Sequence, residues 1–405
     1  MAEAAGHVKV PSLQSIRNYA CHTLGLRTFL DQPGDGRTQP EIPAADLSWA
    51  LLLGGILRLV SANRLEWLAN FGRRKDLGLT RTFGDDALAY FTERVNPEVI
   101  RHRAAETLKS AKYNKVFEEA AFIGLAIDGT GAGHTTKTPC PLCHPLKDSK
   151  DKVTGHNHYV VMISVVGAGI TLPFDVEPYA PGDSEYAAGK RLLQRAVSHL
   201  GPRFANYVVA DAKFATAPFL HCSDQVGLPI IARLKQNLPE LAAAVEARFS
   251  RQPPTDTFLY GEDRIEVWDA DDFDPWSTLD WPTVRAMRYR QHKKNGTIIQ
   301  AEWITNFSIA KLPARRVLQT GQEPLGNREP GIQRRQEFIR DGAHSASPPQ
   351  QHAGQLALPA PCFNYRTAIP HPLSASRFAS DYNRHATQGH ALAVSPARWR
   401  RQQLK

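Results

Sequence analysis

GLAID (124–128) and YVVAD (207–211) are the two stretches whose reading decides the fold. Each is an apolar run of the length a buried strand needs, and each stops on an aspartate. A lone strand-end carboxylate is ordinarily a turn former. Two of them gain another reading if their strands lie side by side, because apposed carboxylates repel unless a proton or a metal ion sits between them. The segments around them place the strands together. HYVVMISVVGAGITLPFDVEPY (158–179) is two apolar runs joined at Gly167-Ala168-Gly169, a hairpin signal. SEYAAGKRLLQRAVSHL (184–200) has helical spacing behind Ser184, a residue suited to cap it. APFLHCSDQVG (217–227) reads as a helix and LPIIARLK (228–235) as a strand. The order strand, strand, strand, helix, strand, helix, strand implies a mixed α/β sheet flanked by helices. In it the first and fourth strands are central neighbours. Asp128 and Asp211 then meet at strand carboxyl ends, where open α/β sheets gather ligands.

The chain has 405 residues, enough for two or three domains, and carries 49 Lys+Arg against 40 Asp+Glu, a net charge of +9. That balance fits a polyanionic partner and fits a merely basic soluble enzyme equally well. Its hydrophobic share of 42% and charged share of 22% are ordinary for a soluble globular protein. The most apolar stretch, LSWALLLGGILRLVSA (47–62), is broken by Gly54, Gly55 and Arg58. It falls short of the ~20 apolar residues a membrane span needs and reads as a core helix, so no membrane partner is expected. The opening MAEAAGHVKVPSLQ lacks the basic start and apolar block of a secretion signal. Five scattered cysteines, an odd count, fit a reducing cytoplasm.

Residues 1–120 read as a helical region, with Asp85 and Asp86 at an N-cap before ALAYFTERV. Its basic residues are Arg73, Arg74, Lys75, Arg101, Arg103, Lys109, Lys112 and Lys115. They form either a solvated helix face or a DNA-binding, phosphate-contacting surface. Residues 121–320 hold the α/β core, and strand patterns return over 255–306 as a β-rich insertion or extension of the sheet, the whole insertion spanning about 240–306. From 321 to 405 the chain is rich in Pro, Gln, Arg, Ser and His without sustained periodicity. Such a composition buries too little apolar surface to offset ordering entropy, so a disordered tail is expected.

Oxygen-only ligands such as Asp128 and Asp211 suit Mg²⁺ or Mn²⁺. Two such ions about 3.5–4 Å apart can activate water and stabilise the leaving oxygen of a phosphodiester. AIDGTG, the hairpin, EPYAPGDSEYAAGKRLL, YVVADAKFATAPFL and IIARLKQNLPEL together resemble the catalytic core of bacterial DDE-type insertion-sequence transposases, members of the ribonuclease-H-like superfamily. The resemblance spans about residues 45–320. It implies a ribonuclease-H-like mixed sheet, metal-dependent phosphodiester hydrolysis and strand transfer, and double-stranded DNA partners, namely terminal inverted repeats and target. It also implies a homodimer or larger synaptic complex in the bacterial cytoplasm, associated with the nucleoid. Asp128 and Asp211 would be the first two metal-binding carboxylates. Arg233 and Lys235, at the end of the next strand, read either as phosphate contacts or as ordinary strand-end solvation.

The family's third acid is a glutamate on a helix after the insertion, in a Trp-x-Ile-Glu pattern. WITNFSIAKLPARRVLQTG (303–321) leads into that region, and there the pattern stops. Glu329 stands at the right point in the chain, but Pro324, Pro330 and Gly331 break any helix around it. Codons can be chosen for LGNREPGIQRRQEFIRDGAH (325–344) that, read one base on, give WEIENQGFNDGKNSYGMEHI. We therefore expect a frameshift just before Leu325, an out-of-frame tail, and impaired catalysis. Alternatives are a non-catalytic DNA-binding protein and a metal-dependent nuclease on the same fold.

A second cluster lies in CPLCHPLKDSKDKVTGHNHY (140–159). Cys140 and Cys143 form a Cys-x-x-Cys pair, with His144, His156 and His158 following. The set reads either as a structural Zn²⁺ site drawn from Cys140, Cys143, His156 and His158, or as a polar loop with incidental cysteines and histidines.

Overall fold

The computed structural model describes residues 13–317 except 24, 60, 73, 118–121, 137–138, 168–169 and 316. The expected tail, Glu329 and Arg73 therefore lie outside the described residues.

The first part of the chain is helical: α1 (Leu13–Thr23), α2 (Leu26–Asp31), α3 (Ala44–Leu57), α4 (Ala62–Asn70), α5 (Asp85–Thr92) and α6 (Pro97–Tyr113). The apolar stretch of α3 is a core helix: Leu47, Trp49, Ala50 and Leu53 are buried against Leu65, Leu79, Leu88 and Phe91. Among the described residues no single helix is long and apolar enough to cross a membrane. Gly84, not an aspartate, is the N-cap of α5; Asp85 and Asp86 stand in its first turn, where their charge favours the helix dipole.

The core follows in the expected order with one short strand added, β2: β1 (Gly124–Thr135), β2 (His144–Lys147), β3 (Val153–Gly167), β4 (Ile170–Tyr179), α7 (Glu185–Leu200), β5 (Tyr207–Ala210), α8 (Ala217–Gln225) and β6 (Ile230–Arg233). β3 and β4 form the hairpin, paired from Tyr159↔Tyr179 to Gly167↔Ile170. β2 continues the same edge of β3, beyond β4. β1 lies antiparallel to β3 and parallel to β5, and β5 is parallel to β6. The run β4-β3-β1-β5-β6 is the strand order of a ribonuclease-H-like sheet. Ser184 caps α7 by accepting from the Ala187 N–H at 3.2 Å.

The residues after β6 extend this sheet. After α9 (Pro239–Phe249), an antiparallel meander of β7 (Asp256–Tyr260), β8 (Asp263–Phe273), β9 (Val284–His292) and β10 (Ile298–Thr305) joins it where β10 pairs with β6. Among the described residues the result is one ten-stranded sheet. Leu125, Ile127, Val208 and Ala210 face a core roofed by α7 and α8. Ala126, Tyr207, Val209 and Ile231 face the other way, toward Trp303, Phe307, Leu312 and Val317. Trp268, Trp281 and Trp303 are core residues.

Two basic residues of the expected phosphate-contacting surface help dock α6 against the core. The Arg101 Nε donates to Asp175 on β4 at 2.9 Å, and the Lys112 Nζ donates to the carbonyls of Arg203 and Phe204 at 2.7 Å each. Arg103 pairs with Glu106 one turn along. Arg101 and Lys112 thus tie α6 to β4 and to the turn after α7, while the Arg103 pair lies within α6.

Candidate active site

In the parallel pairing of β1 with β5, Leu125 is level with Val208 and Ile127 with Ala210. Asp128 and Asp211 are the next residues along each chain, where this parallel ladder ends; β5 stops there, whereas β1 does not end on Asp128 as expected but runs on to Thr135, paired with β3. Strand alternation places Asp128 on the face of Ala126, while Asp211, just past β5, is the N-cap of a 3-10 turn, Ala212–Phe214.

Four further side chains gather around these residues. The Lys235 Nζ donates to the Asp211 Oδ1 at 3.0 Å. The Lys213 Nζ donates to the Glu185 Oε2 at 3.1 Å, and the Tyr179 hydroxyl points at the same oxygen from 3.5 Å. Glu185 is the first residue of α7, and it packs over Gly129, the residue after Asp128. A β-carbon at 129 would collide with the Glu185 carboxylate. The Lys213 ammonium is held above the ordinary lysine range by its hydrogen bond to Glu185 and the charge of Glu185, and also by the charges of Asp128 and Asp211. One ammonium thus senses all three acids. Burial, then the neighbouring Glu185 charge, pushes the Tyr179 hydroxyl well up, so it stays protonated and donates.

Glu185, Lys213 and Tyr179 were not legible as site residues. A glutamate directly after a capping serine reads as a partner of the helix dipole, which it also is. Its contact with Gly129 depends on how α7 crosses the sheet. Lys235 reaches Asp211, and the Arg233 guanidinium stacks on the Trp303 ring, 4.7 Å from its centroid. Arg74 and Lys75 lie in a single 3-10 turn, Arg74–Leu77, within the N-terminal helical region. Arg74 is half-buried with an unpartnered Nε, and Lys75 is exposed.

The Cys-x-x-Cys loop folds against β3. The Cys140 and Cys143 sulfurs are 3.7 Å apart, and each lies 3.1 Å from the His158 Nε2. His144 is committed elsewhere: its Nε2 lies 2.9 Å from the Tyr179 carbonyl, and its ring meets Tyr159 and Tyr179 edge-on. His156 is outside the group formed by the two sulfurs and His158.

No protein-family model matches the chain, and no curated protein matches it. A cryo-EM structure of a piggyBac transposase synaptic complex with hairpin DNA superposes over 86% of this chain and 74% of its own, at 10% identity and a TM-score of 0.34. A likeness that loose establishes nothing about the chemistry of this chain.

Proposed function

We propose that the chain is an insertion-sequence transposase of the DDE type, with Asp128 and Asp211 as its first two metal-binding carboxylates. The observation that carries this reading is the parallel β1–β5 register, which ends at Ile127 and Ala210, one residue before each aspartate. The donor set is oxygen-only and partly open, which suits a hard divalent ion. Asp128 and Asp211 would hold Mg²⁺ or Mn²⁺, and such ions supply activation of water and stabilisation of a phosphodiester's leaving oxygen. Lys213 and Lys235 balance the acids in the absence of substrate. Their side chains are 70% and 48% exposed, so they can swing to a DNA phosphate when a divalent ion takes over the carboxylates.

Residues 305–317 cover the face of the sheet that carries Ala126, Tyr207 and Val209. By the resemblance, the third carboxylate would stand in the stretch after Val317. In the reading frame of this chain that stretch carries Pro324, Pro330 and Gly331. We therefore expect the chain to bind DNA ends with little or no strand transfer, and a gene shifted by one base at codon 325 to restore it. An absent ligand removes several kcal/mol of charge stabilisation, so the restored protein should be faster by about a thousandfold. The test is cleavage and joining of the element's ends with Mg²⁺ or Mn²⁺, comparing the 405-residue chain, the reframed chain and its Asp128→Asn variant. Strand transfer by the unshifted chain at the reframed rate would sink the impairment. Undiminished activity of the Asp128→Asn variant would sink the site.

A further inference from the structure

We propose that Cys140, Cys143 and His158 form a structural zinc site, closed by His156, that clips the loop between β1 and β2 onto β3. The donor atoms are already gathered: the two sulfurs and the His158 Nε2 lie within 4.8 Å of one another. Two Zn–S bonds of about 2.3 Å at the tetrahedral angle span about 3.8 Å, and the observed sulfur separation is 3.7 Å. The sulfurs are therefore spaced as ligands of one ion, far beyond a disulfide bond. The His158 nitrogen needs to withdraw by about half an ångström to reach a Zn–N bond of about 2.0–2.1 Å.

The backbone of the loop supports the same chemistry. Cys143 N–H donates to the Cys140 carbonyl at 2.9 Å, closing the turn. Cys140 N–H donates to the Cys143 sulfur at 3.2 Å, a hydrogen bond that favours a thiolate there. Cys143 is buried and Cys140 half-buried, so the sulfurs are sheltered from oxidation.

The fourth position has a candidate that nothing else explains. His156 precedes His158 by two residues on β3, so both project from the same face. Its Nδ1 is buried with no hydrogen-bond partner, a costly state for a polar atom. Turning that nitrogen to the metal satisfies it. A site of two thiolates and two imidazoles selects zinc over the hard ions suited to the aspartates. The consequence is mechanical. TTKTPCPLCHPLKDSKDK (135–152) is too polar to pack by itself, and zinc fixes it to the strand that pairs with β1.

The full-length chain, purified without added metal, should carry about one zinc per chain by mass spectrometric metal analysis. Cys140→Ser and Cys143→Ser should each lose most of it, His156→Ala should weaken it, and His144→Ala should keep it. Exchange of the wild-type protein into Co²⁺ should give thiolate-to-metal charge-transfer absorption with tetrahedral visible bands, which requires no variant to fold. Absence of both zinc and the cobalt thiolate band in the reduced protein overturns the site. Full zinc retention in a Cys140→Ser, Cys143→Ser double variant does the same, and unchanged zinc affinity in His156→Ala overturns the fourth ligand. None of these outcomes depends on whether the protein joins DNA.

Discussion

Two aspartates on this sheet, Asp211 and Asp269, each pair with a basic residue, and the two pairs are built oppositely. Asp269 on β8 meets Arg285 on β9 through two parallel hydrogen bonds of 2.8 and 2.7 Å, with side-chain exposures of 4% and 1%. The remaining Arg285 nitrogen donates to the carbonyls of Phe307 and Leu312. Every group in that arrangement is satisfied and closed off. Asp211 meets the Lys235 ammonium at 3.0 Å, with the lysine side chain 48% exposed. It also shares its surroundings with Asp128 and, through Lys213, with Glu185. The difference is one of closure: a matched, buried pair fixes the meander, while the other cluster is open and holds more carboxylates than ammoniums.

The sharpest way to break that comparison is to remove the acid from each. Asp269→Ala leaves Arg285 buried and unpaired, and unfolding by urea should show a loss of about 3–5 kcal/mol. Asp211→Asn in the same assay should change stability by less than about 1 kcal/mol, since an ion pair to a half-exposed lysine contributes little. If the two variants lose equal stability, Asp211 is a structural residue and the contrast fails.

A smaller effect sharpens it. Lys235→Met removes an ammonium that competes with metal, so Mn²⁺ affinity measured by calorimetry should rise about two- to fivefold, the worth of such an ion pair. DNA affinity of the same variant should fall, with a salt slope shallower by about one. Weaker metal binding in Lys235→Met would show that the lysine supports the ion instead of competing with it.

The smallest effect concerns Lys213. Its ammonium is held above the ordinary range, chiefly by Glu185, so its contribution is fully present below the unfolded lysine value of about 10.4 and fades as pH rises through the folded one. Glu185→Gln should therefore destabilise slightly at pH 8, well under about 1 kcal/mol for so exposed a lysine, and the difference should close as pH rises past the folded lysine value. A difference that grows with pH would assign the effect to another group.

Much of the core was readable because its signals are local. Apolar runs ending on Asp128 and Asp211, a glycine-rich hairpin and a Ser184-capped helix each fit within a short window. The internal partners of Arg101 and Lys112 were unreadable for the converse reason: Asp175 and the carbonyls of Arg203 and Phe204 are distant in sequence. Arg285 and Arg288 were illegible in the same way. A charged residue in a strand reads as solvent-facing, yet Arg288 is fully buried between Glu302 and Glu246. α9 also went unread, its PELAAAVEARF lying inside a segment whose surroundings alternate as strands.

Whether Asp128 and Asp211 share divalent cations is tested most directly by Mn²⁺ binding followed by electron paramagnetic resonance. Bound Mn²⁺ is expected in the wild-type chain, displaced by Mg²⁺ and lost in both Asp128→Asn and Asp211→Asn, with the fold intact. Mn²⁺ binding that neither substitution alters, or none in the wild-type protein, would contradict a shared site.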